Sequence, residues 1–153
     1  MKITSEQSIR LSRVCVLVFA VLLAALDLGC YWAVDWFIGT RPVLLGFGVR
    51  EGILMMATIY LGSIPAWILL VNLHRLLGAL AAGQVFVSAN VARLRRVSWC
   101  CMAACLLCLV SAWYYLPWLL VAVAAGFMAL IVRIVKNCFA QAAAMKDELD
   151  FTI

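Results

Sequence analysis

Residues 97–135, VSWCCMAACLLCLVSAWYYLPWLLVAVAAGFMALIVRIV, decide the fold class. Arg133 is the one charged residue in this stretch. As a single helix it would be about 60 Å long at 1.5 Å per residue, roughly twice the hydrocarbon thickness of a bilayer. The break falls at Tyr114-Tyr115-Leu116-Pro117, where proline favours the first turn of a new helix. The stretch therefore reads as two spans, about 97–116 and 117–135, joined in a tight antiparallel hairpin. Helices are required because backbone polar groups in hydrocarbon must be paired within their own segment.

Outward from this pair lie two more apolar runs, about 14–34 and 53–73. Each is near the roughly 20 residues that one crossing needs. Of the 153 residues, 68% are hydrophobic and 12% charged, and the mean hydropathy is +1.12. A soluble chain carries roughly 25% charged residues, so a water-exposed surface could not be built here. The expected fold is an all-α membrane protein: one domain of four transmembrane helices in two antiparallel hairpins. Lys2, Arg10 and Arg13 precede the first run as in a signal peptide. That run, however, continues for about 20 residues and meets Asp35 and Trp36 without a small-residue cleavage site, so it is read as a retained span.

The net charge of +5 is too sparse and scattered for direct nucleic-acid binding and serves first as a topology signal. Lys2, Arg10 and Arg13, then Arg75, Arg93, Arg95 and Arg96, then Arg133, Lys136 and Lys146 make up ten of the twelve basic residues. All ten fall on one side of the predicted bundle; Arg41 and Arg50 fall on the other. The positive-inside rule makes the first side cytoplasmic, with both termini, a turn at 74–96 and a tail at 136–153. Trp32, Trp36, Phe37, Trp113, Tyr114, Tyr115 and Trp118 then form the outer aromatic belt. The outer loop, about Asp35 to Gly52, is glycine-rich and carries no motif.

Helices two and four are expected to extend into the cytoplasm. Leu73, Leu76, Leu77 and Leu80 continue an apolar stripe beyond the second span, as do Val135, Cys138, Phe139, Ala142, Met145 and Leu149 beyond the fourth. Gly83 reads as the C-terminal cap of the second helix and Ser88 as the N-cap of the third. Each stalk places a basic residue at the membrane edge, Arg75 or Lys136, ahead of an alanine-rich stretch. This weak internal symmetry suggests two related hairpins.

The inner turn, Leu76-Leu77 followed by Gly83-Gln84-Val85-Phe86, Asn90 and Leu94-Arg95-Arg96, is similar to the Leu-rich, Gly-x-x-Phe, Asn, Leu-Arg signature of a bacterial membrane family. The tail Met145-Lys146-Asp147-Glu148-Leu149-Asp150-Phe151-Thr152-Ile153 resembles that family's acidic Glu-x-Asp-Leu-Thr-Ile ending. The family is the one catalogued as domain of unknown function 2975, and helix number and order also agree. Leu149 stands where Asn is commoner and Phe151 where Leu is commoner. Members are typically encoded beside a small helix-turn-helix regulator of the Cro/C1 type. The resemblance thus implies a bacterial inner-membrane protein that partners a cytoplasmic DNA-binding protein. The expected docking set is Gly83, Phe86, Asn90, Arg93, Arg95 and Arg96 with Asp147, Glu148, Asp150 and Phe151. The arginines have a competing reading, anchoring span three on anionic lipid. The alternation of Leu149, Phe151 and Ile153 with Asp150 and Thr152 predicts an extended end that docks near Phe86 or on a partner.

Asp27 lies inside the first span. A central acid costs roughly 2.5–3.5 kcal/mol on insertion scales, so it should face other helices and find a partner. Tyr60 and Ser63 lie at similar depth and could supply hydroxyls. Two readings stay open: a proton or ligand site, or a hydrogen-bonded packing acid. The seven cysteines sit in or beside apolar runs, as buried thiols acting as small hydrophobes do. Cys105-Leu-Leu-Cys108 has redox spacing, but thiolate formation in hydrocarbon is unfavourable. Cys101, Cys105 and Cys108 share a helix face with too few convergent donors for a metal. His74, the one histidine, reads as a headgroup contact. With no P-loop, nucleotide fingerprint, metalloprotease motif or Ser/His/Asp set, neither an enzyme nor a cofactor is expected. Two functions remain: a membrane anchor or sensor for a regulator, or a small oligomeric transporter or channel subunit with Asp27 lining a polar path.

Overall fold

The computed structural model describes residues 5–40, 48–83 and 88–150. Its elements are α1 (Ser5–Thr40), α2 (Val49–Ala81), α3 (Ser88–Ser111) and α4 (Trp118–Asp150). All four are long and apolar enough to cross a membrane, as composition predicts. At 1.5 Å per residue, the 33 residues of α2 and of α4 reach about 50 Å, well beyond a hydrocarbon core of about 30 Å.

The helix ends differ from the expected spans for local reasons. α1 continues through Asp35 to Thr40, and α2 starts at Val49, so the connection is shorter than the Asp35–Gly52 loop read from sequence. Thr40 Oγ1 donates back to the carbonyls of Trp36 (2.8 Å) and Phe37 (3.1 Å), pairing acceptors that a helix end leaves open. α1 stops two residues short of Pro42, and the position before a proline is disfavoured in the helical region. At the start of α2 the Gly48 amide donates to Glu51 Oε2 at 2.8 Å, satisfying an orphan N–H ahead of Ile53.

α3 ends at Ser111, before the expected Leu116. The chain turns with its amides still paired: Ala112 N–H to the Cys108 carbonyl (2.9 Å) and Tyr115 N–H to that of Ser111 (3.2 Å). Trp118 N–H to Tyr115 (3.1 Å) and Leu119 N–H to Leu116 (2.9 Å) then lead into α4. Pro117 sits just ahead of α4 rather than inside its first turn.

α1 packs on α2, α2 on α3 and α3 on α4. α3 is the inner helix, with 33% of its most apolar stretch buried against 6–11% for the others. It buries Asn90, Leu94, Val97, Cys101, Cys108 and Ser111, a spacing of threes, fours and sevens that keeps one seam inward. α4 answers with small residues: Ala122 and Ala129 are buried, and Gly126 between them lets the backbones approach. A Cβ on Gly126 would lie 3.2 Å from Cys105 Sγ. Ser98 Oγ donates to the Ala129 carbonyl at 3.1 Å across this interface. Val97, Cys101 and Ala129 form the core cluster, with Leu69, Met102 and Val132 against it. Large side chains such as Leu28, Leu120 and Phe127 point outward, as lipid requires and water would not tolerate.

Contacts between helices distinguish two ends. At one, the Phe37 ring meets Tyr115 edge-on at 5.8 Å, and Thr58 Oγ1 shares hydrogen bonds with Ser111 Oγ (2.9 Å) and the Tyr114 hydroxyl (2.8 Å). At the other, the Arg13 guanidinium lies against Gly78, and Arg93 reaches Arg75. These are the aromatic and the basic end of the bundle.

Candidate functional site

The basic end is built where α2 stops. Ala82 N–H donates to the Gly78 carbonyl (3.2 Å) and Gly83 N–H to that of Leu80 (3.1 Å). Gly83 has φ +74°, the left-handed conformation that ends a helix and that glycine adopts without a Cβ clash. The cap read at Gly83 is therefore where the helix ends. Phe86 lies outside the described residues, and α3 begins at Ser88.

Asn90 is 1% exposed, so its amide must be paired. Its Oδ1 accepts from Arg93 Nη1 at 2.9 Å, and the same nitrogen reaches the Arg75 carbonyl at 3.3 Å. This clip ties the overrun of α2 to the first turn of α3. Arg93, expected on a docking face, is engaged within the fold, whereas Arg95 and Arg96 are exposed. Glu148 is exposed on α4. Asp147 and Asp150 lie on the same helix, their side chains outside the described residues, as is Phe151 altogether. The end expected to be extended from Leu149 is helical through Asp150. Docking of the last residues falls outside the described part.

A second polar group lies between α1 and α2. Trp67 Nε1 donates to Asp27 Oδ2 at 3.0 Å. The Tyr60 hydroxyl donates to the main-chain carbonyl of Asp27 at 3.1 Å, not to its carboxylate, and Ser63 Oγ turns back onto the Tyr60 carbonyl at 2.9 Å. Asp27 Oδ1 is buried without a partner among the described residues. Sequence reasoning weighed hydroxyls at the right depth and missed the indole. The available signal was that Trp67 lies two turns beyond Tyr60 on α2. The Thr58–Ser111–Tyr114 cluster was also missed; hydroxyls inside apolar runs were its signal.

All seven cysteines are free. Cys101 and Cys108 are buried along the inward seam of α3, and Cys105 abuts Gly126. In that setting they fill space between helices.

The family model described as Protein of unknown function (DUF2975) matches residues 14–153, in agreement with the resemblance carried by the inner turn and the tail. No curated protein and no solved structure matches the chain.

Proposed function

The chain belongs to the DUF2975 family, and from that premise we propose that it is a bacterial inner-membrane anchor or sensor that binds a small cytoplasmic helix-turn-helix transcription regulator. The four helices run as two antiparallel hairpins, with both termini and the basic end in the cytoplasm, as the distribution of Lys and Arg favours. The observation that supports this reading best is the construction of the basic end. α2 and α4 both overrun the apolar spans, α4 from Lys136 to Asp150, about 22 Å at 1.5 Å per residue. The Asn90–Arg93–Arg75 clip holds α2 and α3 together beside that overrun. A rigid, charged face outside hydrocarbon suits a protein partner, and Arg96 on α3 and Glu148 on α4 are among the exposed charges of this end. Held there, the regulator is removed from its operators; release follows a change in the bundle.

A second reading, a small oligomeric transporter or channel, is favoured by the unpartnered Oδ1 of Asp27. It ranks below the first because the hydrogen bonds around Thr58 and those around Asp27 form separate clusters, with no continuous polar path between them among the described residues. The test is capture on the tagged full-length chain from gently solubilised membranes, with mass spectrometry of the soluble proteins retained. A small helix-turn-helix protein, enriched by the parent and lost on Arg96→Glu, supports the anchor. No such enrichment, together with ion flux in vesicles abolished by Asp27→Asn, assigns the transporter.

A further inference from the structure

We propose that the α3–α4 face at the basic end is a binding site for the phosphate headgroup of an anionic phospholipid of the surrounding bilayer. Two adjoining clefts lie on that face, of about 180 and 250 Å³. The first is lined by Arg95, Ser98, Trp99, Met102, Arg133 and Lys136. The second shares Arg95 and Lys136 and adds Ser88 and Asn137. Arg133 and Lys136 are three residues apart, hence on one side of α4, with Arg95 facing them from α3. Three cations therefore ring one opening.

Their electrostatic position is unlike that of Arg93. That guanidinium is engaged by Asn90 and the Arg75 carbonyl. Arg95, Arg133 and Lys136 have no hydrogen-bond or ion-pair partner among the described residues. Like charges gathered on one cleft repel unless an anion joins them, and a phosphate accepts from guanidinium and ammonium groups together.

Depth selects the source of that phosphate. Arg95 precedes Val97, where the third apolar stretch begins, and Arg133 and Lys136 flank Val135, where the fourth ends. The opening thus sits at the boundary between hydrocarbon and water. Trp99, 70% exposed, stands at the same boundary, where indole rings are enriched. Met102 continues the wall toward the hydrocarbon, and Leu130 and Ile134 of α4 are exposed to lipid. A headgroup in the clefts has its acyl chains against this apolar surface; a free anion would gain nothing from it. Basic pockets between spanning helices on the cytoplasmic side are a recurring way of binding anionic lipid headgroups. The site requires that the chain spans a membrane and is independent of regulator binding. It moves Arg95 from the docking set to the lipid.

The test uses the full-length chain in nanodiscs of phosphatidylcholine containing a minor fraction of phosphatidylglycerol, with native mass spectrometry of the lipid retained on release. The parent should keep phosphatidylglycerol in preference to phosphatidylcholine. Arg133→Gln with Lys136→Gln should weaken that preference about fivefold per cation removed. Arg96→Gln, outside the clefts, and Lys136→Arg should leave it unchanged. Equal retention of both lipids by the parent, or full retention in the double variant, overturns the proposal. So does binding of inorganic phosphate with the same dependence on Arg133 and Lys136 while the lipid is not retained. Should the double variant not fold, bromine-labelled lipid decides on the parent. Quenching lost on Trp99→Phe should be stronger for brominated phosphatidylglycerol than for brominated phosphatidylcholine; equal quenching counts against the site. Regulator capture is read separately, so each idea can fail alone.

Discussion

At the scale of single residues, Asp27 depends on one donor. Trp67 Nε1 is the hydrogen-bond partner of its carboxylate, and the second carboxylate oxygen is buried without one. Removing a partner leaves a buried polar group unsatisfied, which costs about 1–3 kcal/mol. Trp67→Phe should therefore lower bundle stability by about that amount in detergent unfolding. Asp27→Asn should be nearly neutral, because the amide oxygen still accepts from the indole. An Asn variant as damaged as Trp67→Phe would show that the acid itself, and not its hydrogen bond, is what the site requires. Gly83 makes a sharper case, since a Cβ in the left-handed region costs roughly 1–2 kcal/mol. Gly83→Val should cost at least that, measured by loss of protection from proteolysis at the end of α2.

At the scale of elements, the α3–α4 interface rests on small residues. Gly126→Ala places a methyl 3.2 Å from Cys105 Sγ, so the sulfur must move by a few tenths of an ångström. The expected loss is about 1–3 kcal/mol, the usual range for overpacking. Cys105→Ala in the same chain should recover most of it by vacating the space. Absence of recovery would mean that the two residues are not opposed across the interface. The α2–α3 connection behaves differently, because it is held by polar bonds. Arg93→Ala removes the donor to Asn90 Oδ1 and to the Arg75 carbonyl. It should increase hydrogen exchange in residues 74–83 while leaving the aromatic end unchanged. Uniform exchange along α2 would refute a local clip.

At the scale of the whole molecule, the topology has one decisive measurement. In a chain stripped of its native cysteines, Ala82→Cys should be protected from an impermeant thiol reagent added to intact cells, and Gly48→Cys should react. The reverse labelling pattern would put the basic end outside and remove the regulator proposal, while leaving the lipid site to be tested in the other leaflet.

Four spans were legible in the residues because the condition for crossing hydrocarbon is local: enough consecutive apolar groups, with charges at their borders. The Gly83 cap and the break before Pro117 were legible for the same reason, each depending on the conformation of one or two residues. Helix lengths were less so. Thr40 and the Gly48–Glu51 bond extend α1 and α2 past their apolar runs through polar capping, which hydropathy does not see. Least legible were the partnerships. Trp67 with Asp27, Arg93 with Asn90, and Arg95 beside Arg133 and Lys136 each depend on how neighbouring helices are rotated against one another. In water that rotation shows as an apolar stripe, because one face must be polar. In lipid both faces are apolar, so the sequence by itself determines that four helices are apolar enough to cross and roughly where they end. Only the tertiary structure decides which side chains meet, because side-chain packing, small residues and a few hydrogen bonds, and not burial from water, orient the helices.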